Sequence, residues 1–216
     1  SVAFLSLPTV MPLTLTGCTT TKQVSTQTVT ASDPSRLKQK PEEIAKIHTA
    51  IAAEYIRNNN LDDAKRQLES ALKSDPKSAQ ANDMMGVLLQ QEGSPINLQK
   101  AEAYFKKAIS LDPSFTQAYN NYGVYLAQMN RNQEAIDQFQ IAGSTLGYEG
   151  RASALENLGR TALKIKNKQL AIQSFIKALD ANRESIVART ELIDILLADG
   201  KFLDAQGLYN DLQKII

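Results

Sequence analysis

Between Tyr119 and Ala142 the apolar and small residues fall in short steps, a long gap, and short steps again. Tyr119, Tyr122, Gly123 and Leu126 are followed by Ala135, Phe139 and Ala142, at offsets 0, 3, 4, 7, 16, 20 and 23. Steps of three and four put side chains on one face of a helix. The gap of nine between Leu126 and Ala135 suits a helix end, a turn and a helix start. The pattern therefore predicts two amphipathic helices folded back on each other. Gly123 and Ala135 are small enough to let the pair approach closely, and the large residues fill the space around that contact.

The pattern recurs along the chain. Upstream it is carried by Gly86, Leu89, Ala101, Phe105, Ala108 and Pro113, and before that by His48, Ile51, Ala52, Tyr55, Ala64, Leu68, Ala71 and Pro76. Downstream come Leu155, Leu158, Gly159, Ala162, Ala171, Phe175 and Ala178, then Leu192, Leu196, Ala205, Tyr209 and Leu212. The anchor alanines at 64, 101, 135, 171 and 205 are spaced 37, 34, 36 and 34. A helix–turn–helix of this period, with Gly or Ala in the first helix and Ala-x3-Phe/Tyr in the second, resembles the tetratricopeptide repeat. The resemblance implies an all-α tetratricopeptide-repeat solenoid, five repeats stacked as a right-handed superhelix. A repeat domain is expected over 41–216, with repeats near 45–78, 79–115, 116–149, 152–185 and 186–216.

Local signals sharpen these boundaries. Pro41-Glu42-Glu43 suits a helix start, with a proline in the first turn and carboxylates at the positive end. Asn58-Asn59-Asn60 reads as a turn, and Ser74-Asp75-Pro76 as a stop. The inner turn of repeat 2, Glu92 to Asn97, is expected to be three residues longer than usual and to sit on an edge of the solenoid. Leu146-Gly147-Tyr148-Glu149-Gly150-Arg151 reads as an irregular link that alters how repeats 3 and 4 stack. Repeat 5 ends in Leu212-Gln213-Lys214-Ile215-Ile216 with no polar capping helix. Solenoid ends normally need one, so a further repeat or a partner is expected to cover that face.

Charge and composition narrow the function. The net charge is +1 with both signs interspersed, and no basic stripe favours nucleic acid. One cysteine rules out an internal disulfide framework, and one cysteine with one histidine does not match the common zinc spacings. No cofactor or small-molecule substrate is expected. His48 occupies a helix position that other repeats fill with Asn82, Tyr119, Leu155 and Arg189, which points to packing. Glu42, Asp62, Asp63 and Glu134 stand at helix starts, where the helix dipole accounts for them. With no nucleophile, zinc-protease or phosphate-loop motif, an enzyme is not expected.

The N-terminal part carries a different signal. Residues 1–17 are uncharged, mostly apolar or small, and interrupted by Pro8 and Pro12; they read as the remnant of a secretory signal peptide. The stretch ends in Leu15-Thr16-Gly17-Cys18, which resembles the bacterial lipobox and implies that Cys18 is acylated. Thr19 stands where an inner-membrane retention signal would have Asp, and likeness to sorted lipoproteins implies the outer membrane. Residues 18–40, after the cysteine rich in Thr, Ser and Gln, read as a disordered tether. A coil of its length spans roughly 25 Å.

A partner groove is the remaining reading. The first helices of stacked repeats should line one continuous surface, with Lys46, Thr49, Ala53, Ile56 and Arg57 from repeat 1 and Gln80, Asp83, Val87 and Gln90 from repeat 2. Repeat 3 would add Gln117, Asn120, Asn121, Val124 and Gln128, and repeat 4 Ser153, Glu156, Asn157, Arg160 and Lys164. Amides such as Asn121 and Asn157 can donate and accept at once, which suits a polypeptide backbone.

Two stretches carry a closer resemblance. One is Asn120-Asn121-Tyr122-Gly123 with Asn132-Gln133-Glu134-Ala135. The other is Leu146-Gly147-Tyr148-Glu149-Gly150-Arg151 leading into Leu155-Glu156-Asn157-Leu158-Gly159. With the lipobox and tether, they resemble the type IV pilus biogenesis and stability lipoproteins of Gram-negative bacteria, the PilF/PilW-type secretin pilotins. The resemblance implies a non-enzymatic lipoprotein anchored through acylated Cys18 on the periplasmic face of the outer membrane. There it would bind the pilus secretin, or another pilus protein, and promote the secretin's localisation and multimerisation. Two other readings remain open: an adaptor lipoprotein that scaffolds peptidoglycan enzymes, and a cytosolic scaffold in which residues 1–18 carry no lipid.

Overall fold

The computed structural model describes residues 40–216. The expected signal remnant, Cys18 and the tether as far as residue 39 lie outside those residues. The described part is ten α-helices: α1 Pro41–Arg57, α2 Leu61–Ser74, α3 Ala79–Glu92, α4 Pro95–Leu111, α5 Thr116–Gln128, α6 Asn132–Ser144, α7 Arg151–Lys164, α8 Lys168–Ala181, α9 Ile186–Ala198 and α10 Phe202–Leu212. They pair in order across turns of two or three residues, and each pair packs on the next. Among the first helices, α1 touches α3, α3 touches α5 and α5 touches α7. The described residues form an all-α solenoid of five stacked helix pairs. No described helix is long and apolar enough to cross a membrane.

The core is built on one contact repeated with variations. Phe105, Phe139 and Phe175 are fully buried, each lying over a glycine of its partner helix. A Cβ at Gly86, Gly123 or Gly159 would stand 2.8, 2.6 or 2.5 Å from the facing ring, closer than carbon atoms can approach. Repeat 1 meets the same constraint by exchanging volume across the contact. Ala52 takes the glycine position and Leu68 the phenylalanine position, both fully buried.

Repeat 5 departs from this scheme, and the expectation that it copies the others needs correcting. Ile193 stands twelve positions before Ala205, where Gly123 and Gly159 precede Ala135 and Ala171. A buried branched side chain thus stands where the other repeats have glycine or alanine. Tyr209, at the phenylalanine position, is 49% exposed.

A second correction concerns repeat 2. The expected long inner turn is only Gly93-Ser94, and the extra residues extend α4 to 17 residues, against 13 or 14 for α2, α6 and α8. Gly93 closes α3 with φ at +72°. The Ser94 hydroxyl accepts from the Asn97 amide at 3.2 Å, and Pro95 follows in the first turn. A serine cap before a proline is a strong helix start, so the insertion becomes a helical turn.

The aromatic face of α5 also differs from expectation. Tyr119 is half-buried and its hydroxyl donates to the Pro113 carbonyl at 3.1 Å. Tyr125, absent from the expected pattern, is buried and donates to the Leu98 carbonyl at 3.0 Å. Phe105 lies 6.0 Å from the Tyr122 ring and 5.7 Å from that of Tyr125, which locks repeat 2 onto repeat 3. Beside them Glu102 accepts from Tyr122 at 2.9 Å, Arg131 at 2.7 Å and Lys106 at 2.8 Å. Burial works against the Glu102 carboxylate, but the bonds from Lys106, Arg131 and Tyr122 outweigh it and hold its pKa down at about 2.

Candidate functional site

The surface lined by α3 and α5 holds a cavity of about 350 Å³, bounded by Val87, Gln90, Gln91, Asn121, Val124 and Gln128. Four of the six are primary amides and none is charged. Gln90 donates to Gln128 at 2.7 Å, and Gln91 donates to Asn59 at 3.0 Å. A wall of this kind offers donors and acceptors without selecting for charge, which fits a polypeptide segment more than a small ion. Gln91 lies outside the expected set; its one signal is its place beside Gln90 at the end of α3.

Beneath the cavity the first helices are tied by a ladder of side chains. The residue two before the repeat glycine donates to the residue three before the glycine of the preceding repeat. Asn121 Nδ2 donates to Asp83 Oδ2 at 2.8 Å, and Asn157 Nδ2 donates to Asn120 Oδ1 at 3.4 Å. The next rung would set Glu191 against Glu156, two acceptors, and it is replaced. Ser185 donates to Glu156 at 2.6 Å and Arg160 to Glu191 at 2.7 Å.

This ladder redistributes the expected groove residues. Lys46, Arg57, Gln80, Val124 and Arg160 are exposed, and Ala53, Val87, Gln117, Asn121, Glu156 and Asn157 are half-buried. Thr49, Ile56, Asp83 and Asn120 are buried and do not present a surface to a partner. The reason is geometric: the innermost row of each first helix faces the neighbouring first helix. Thr49 turns its hydroxyl back to the Ala45 carbonyl at 2.7 Å, and Ile56 joins the core. His48 bridges within its own repeat, its Nδ1 2.6 Å from Gln67 Oε1.

Asp83 has the most unusual environment. It is 1% exposed, and Oδ1 of its carboxylate has no hydrogen-bond partner. Burial pushes its pKa up to about 7, and the bond from Asn121 only partly offsets this. The bond belongs to a longer chain. Tyr148 donates to Gln117 at 2.8 Å, Gln117 to Asn121 at 2.9 Å, and Asn121 to Asp83. Every donor points toward the carboxylate, and such chains polarise cooperatively. Burial and the nearby Asp83 charge push the Tyr148 pKa up to about 12.

The chain explains the link between repeats 3 and 4. Gly147 takes φ at +81°, and a Cβ on Gly150 would collide with the Tyr148 hydroxyl. Arg151 Nε donates to the Gly143 carbonyl at 2.9 Å, closing the end of α6. At Gly143 a Cβ would lie 2.7 Å from Leu155, so α6 and α7 approach closely there. Tyr148→Phe should cost about 1 kcal/mol through loss of one hydrogen bond. A thermal melt would check this, and hydrogen exchange should quicken at the start of α7.

Among the described residues no group of three or more His, Cys, Asp or Glu could hold a metal ion. The arrangement joins a polar, uncharged groove to a buried network that fixes the spacing of the helices beneath it.

Comparisons with known proteins agree with this architecture. Tetratricopeptide-repeat family models match residues 49–93, 79–115, 104–137 and 152–185. The type IV pilus assembly protein PilF of Pseudomonas aeruginosa is 27% identical over 198 residues, covering 91% of this chain and 73% of the relative. Its solved structure superposes with a TM-score of 0.76 at 27% identity, over 82% of this chain and 79% of that one. PilW, described as a widely conserved type IV pilus biogenesis factor, gives a TM-score of 0.69 at 28% identity, over 80% and 78%. MamA, at 22% identity and a TM-score of 0.62 over 80% and 92%, shares the fold.

Proposed function

The chain is a tetratricopeptide-repeat protein of the type IV pilus biogenesis family, and we propose that it is a lipid-anchored pilotin. In this reading it binds a segment of the pilus secretin in the amide-lined groove and promotes secretin multimerisation in the outer membrane. The likeness to PilF across 91% of the chain carries the proposal. That likeness supports a role in pilus biogenesis, and the repeat scaffold supports a binding role. The secretin, the anchor at Cys18 and the periplasmic face of the outer membrane complete the reading.

The physical division of labour is simple. Several acyl chains on Cys18 would hold the protein stably where one chain is marginal. The tether would keep the repeats at high effective concentration near the membrane. The groove would then engage a polypeptide segment through Gln90, Asn121 and Gln128, with Val87 and Val124 contributing apolar area. Outer-membrane fractions from cells lacking the protein should contain monomeric secretin. Cys18→Ala should leave secretin binding intact and misplace the multimers. Normal multimers and intact pili in the deletion strain would overturn the proposal and favour the peptidoglycan-enzyme adaptor.

A further inference from the structure

The far side of the solenoid carries grooves between successive second helices, floored by the first helix between them. Three have the same register. Between α2 and α4 the walls include Lys65, Glu69 and Lys100, and between α6 and α8 they include Gln140, Gln173 and Lys177. Between α8 and α10 the character changes. Ile172, Ile176 and Leu179 form one wall, Leu208 the other, and Leu192 and Ile195 the floor, around a cavity of about 450 Å³. Position for position, Ile176 replaces Glu69 and Gln140, Leu208 replaces Tyr104 and Ser174, and Ile172 replaces Lys65 but matches Ile136. Ile172, Leu179 and Leu208 lean on the core, but core packing does not explain Ile176, which is 48% exposed.

We propose that this groove between repeats 4 and 5 docks an amphipathic α-helix of a partner protein. Three observations select that occupant. The walls are aliphatic and their polar groups are confined to the ends. An extended segment would bury amides and carbonyls with nothing to bond, whereas a helix satisfies its own. The ends carry opposite charge. Asp180 stands at one, and at the other Lys201 adds to the Lys168–Asp199 ion pair. That polarity matches a helix dipole, with the partner's N-terminus beside Asp180 and its C-terminus beside Lys201. From Ile172 to Asp180 the wall is about 12 Å long at 1.5 Å per residue, which suits two to three turns of helix presenting apolar residues at i, i+3, i+4 and i+7. The site lies apart from the amide-lined surface of α3 and α5, so it does not depend on the proposed role of that surface.

The test places a photo-crosslinking benzoyl-phenylalanine at Ile176 of the full protein in cells, with Glu69 as the matched control. Adducts should form at 176 and not at 69. The captured segment, made as a synthetic peptide, should become helical on binding by circular dichroism. Ile176→Asp should weaken it at least about tenfold, with no change in the melting temperature, and a central proline in the peptide should abolish binding. Equal adducts at both positions would overturn the inference. So would a segment that binds unchanged with proline, an adduct to lipid, or an adduct to a second copy of the chain.

Discussion

Gly123→Ala should lower the stability of the chain by about 1–3 kcal/mol, and Gly123→Leu by more. On an exposed helix the alanine change would stabilise by up to about 1 kcal/mol, because glycine is the poorer helix former. Here the steric term decides the sign. The new Cβ would stand 2.6 Å from Cε1 and 2.7 Å from Cδ1 of Phe139. That ring is 1% exposed and cannot swing into solvent. Repeat 1 shows the remedy within the same chain, since Ala52 faces Leu68. Phe139→Leu alone should leave a void and cost roughly 1–2 kcal/mol. Combined with Gly123→Ala it should cost less than the sum, with a coupling of about 1 kcal/mol or more. Thermal or urea melts of the four proteins would measure it, and strictly additive losses would contradict the contact.

The same contact shows why so much of the fold was legible. Gly, Ala and Phe at fixed offsets are the direct imprint of two helix backbones in close approach, and they recur because each repeat solves the same packing problem. Where the sequence misled, a local rule competed with the period. Ser94-Pro95 opens a helix, so an apparent loop insertion lengthened α4. Ile193 breaks the small-residue rule while Ala205 and Tyr209 preserve the spacing, so a match in register does not carry a match in packing. Tyr125 lies off the single-face pattern because α5 is covered on more than one side.

The candidate site was harder to read for a related reason. Helical periodicity tells which side of α3 or α5 faces the neighbouring first helices. It does not tell which row of that side touches the neighbour and which touches solvent. Asn120 and Asn121 are adjacent in sequence, yet one is buried as an acceptor for Asn157 and the other lines the cavity. The motif around Tyr148 was visible as a departure from the general repeat. Its physical meaning, a strut running through Gln117 and Asn121 to Asp83, depends on contacts 31 and 38 residues apart.

Asp83→Asn should stabilise the protein at pH 8 and have little effect at pH 4. The Asp83 pKa is raised from 3.8 to about 7 in the folded state, so the native protein binds its proton more tightly than the unfolded chain. The associated stability is fully present below about pH 4 and is lost as pH rises through 7. By this linkage the ionised form carries a penalty of up to about 4 kcal/mol above neutrality. Asparagine removes the charge and keeps an oxygen to accept from Asn121. The neighbouring rung already works this way, with Asn120 accepting from Asn157. Melting temperatures from pH 4 to 8 should therefore fall more steeply for the native sequence than for Asp83→Asn. Two parallel pH profiles would mean that Asp83 remains solvated or finds a counter-charge. If the profiles diverge as expected, a carboxylate is retained beneath the groove at a cost that an asparagine avoids, and the effect of its ionisation on partner binding near neutral pH becomes a property to test.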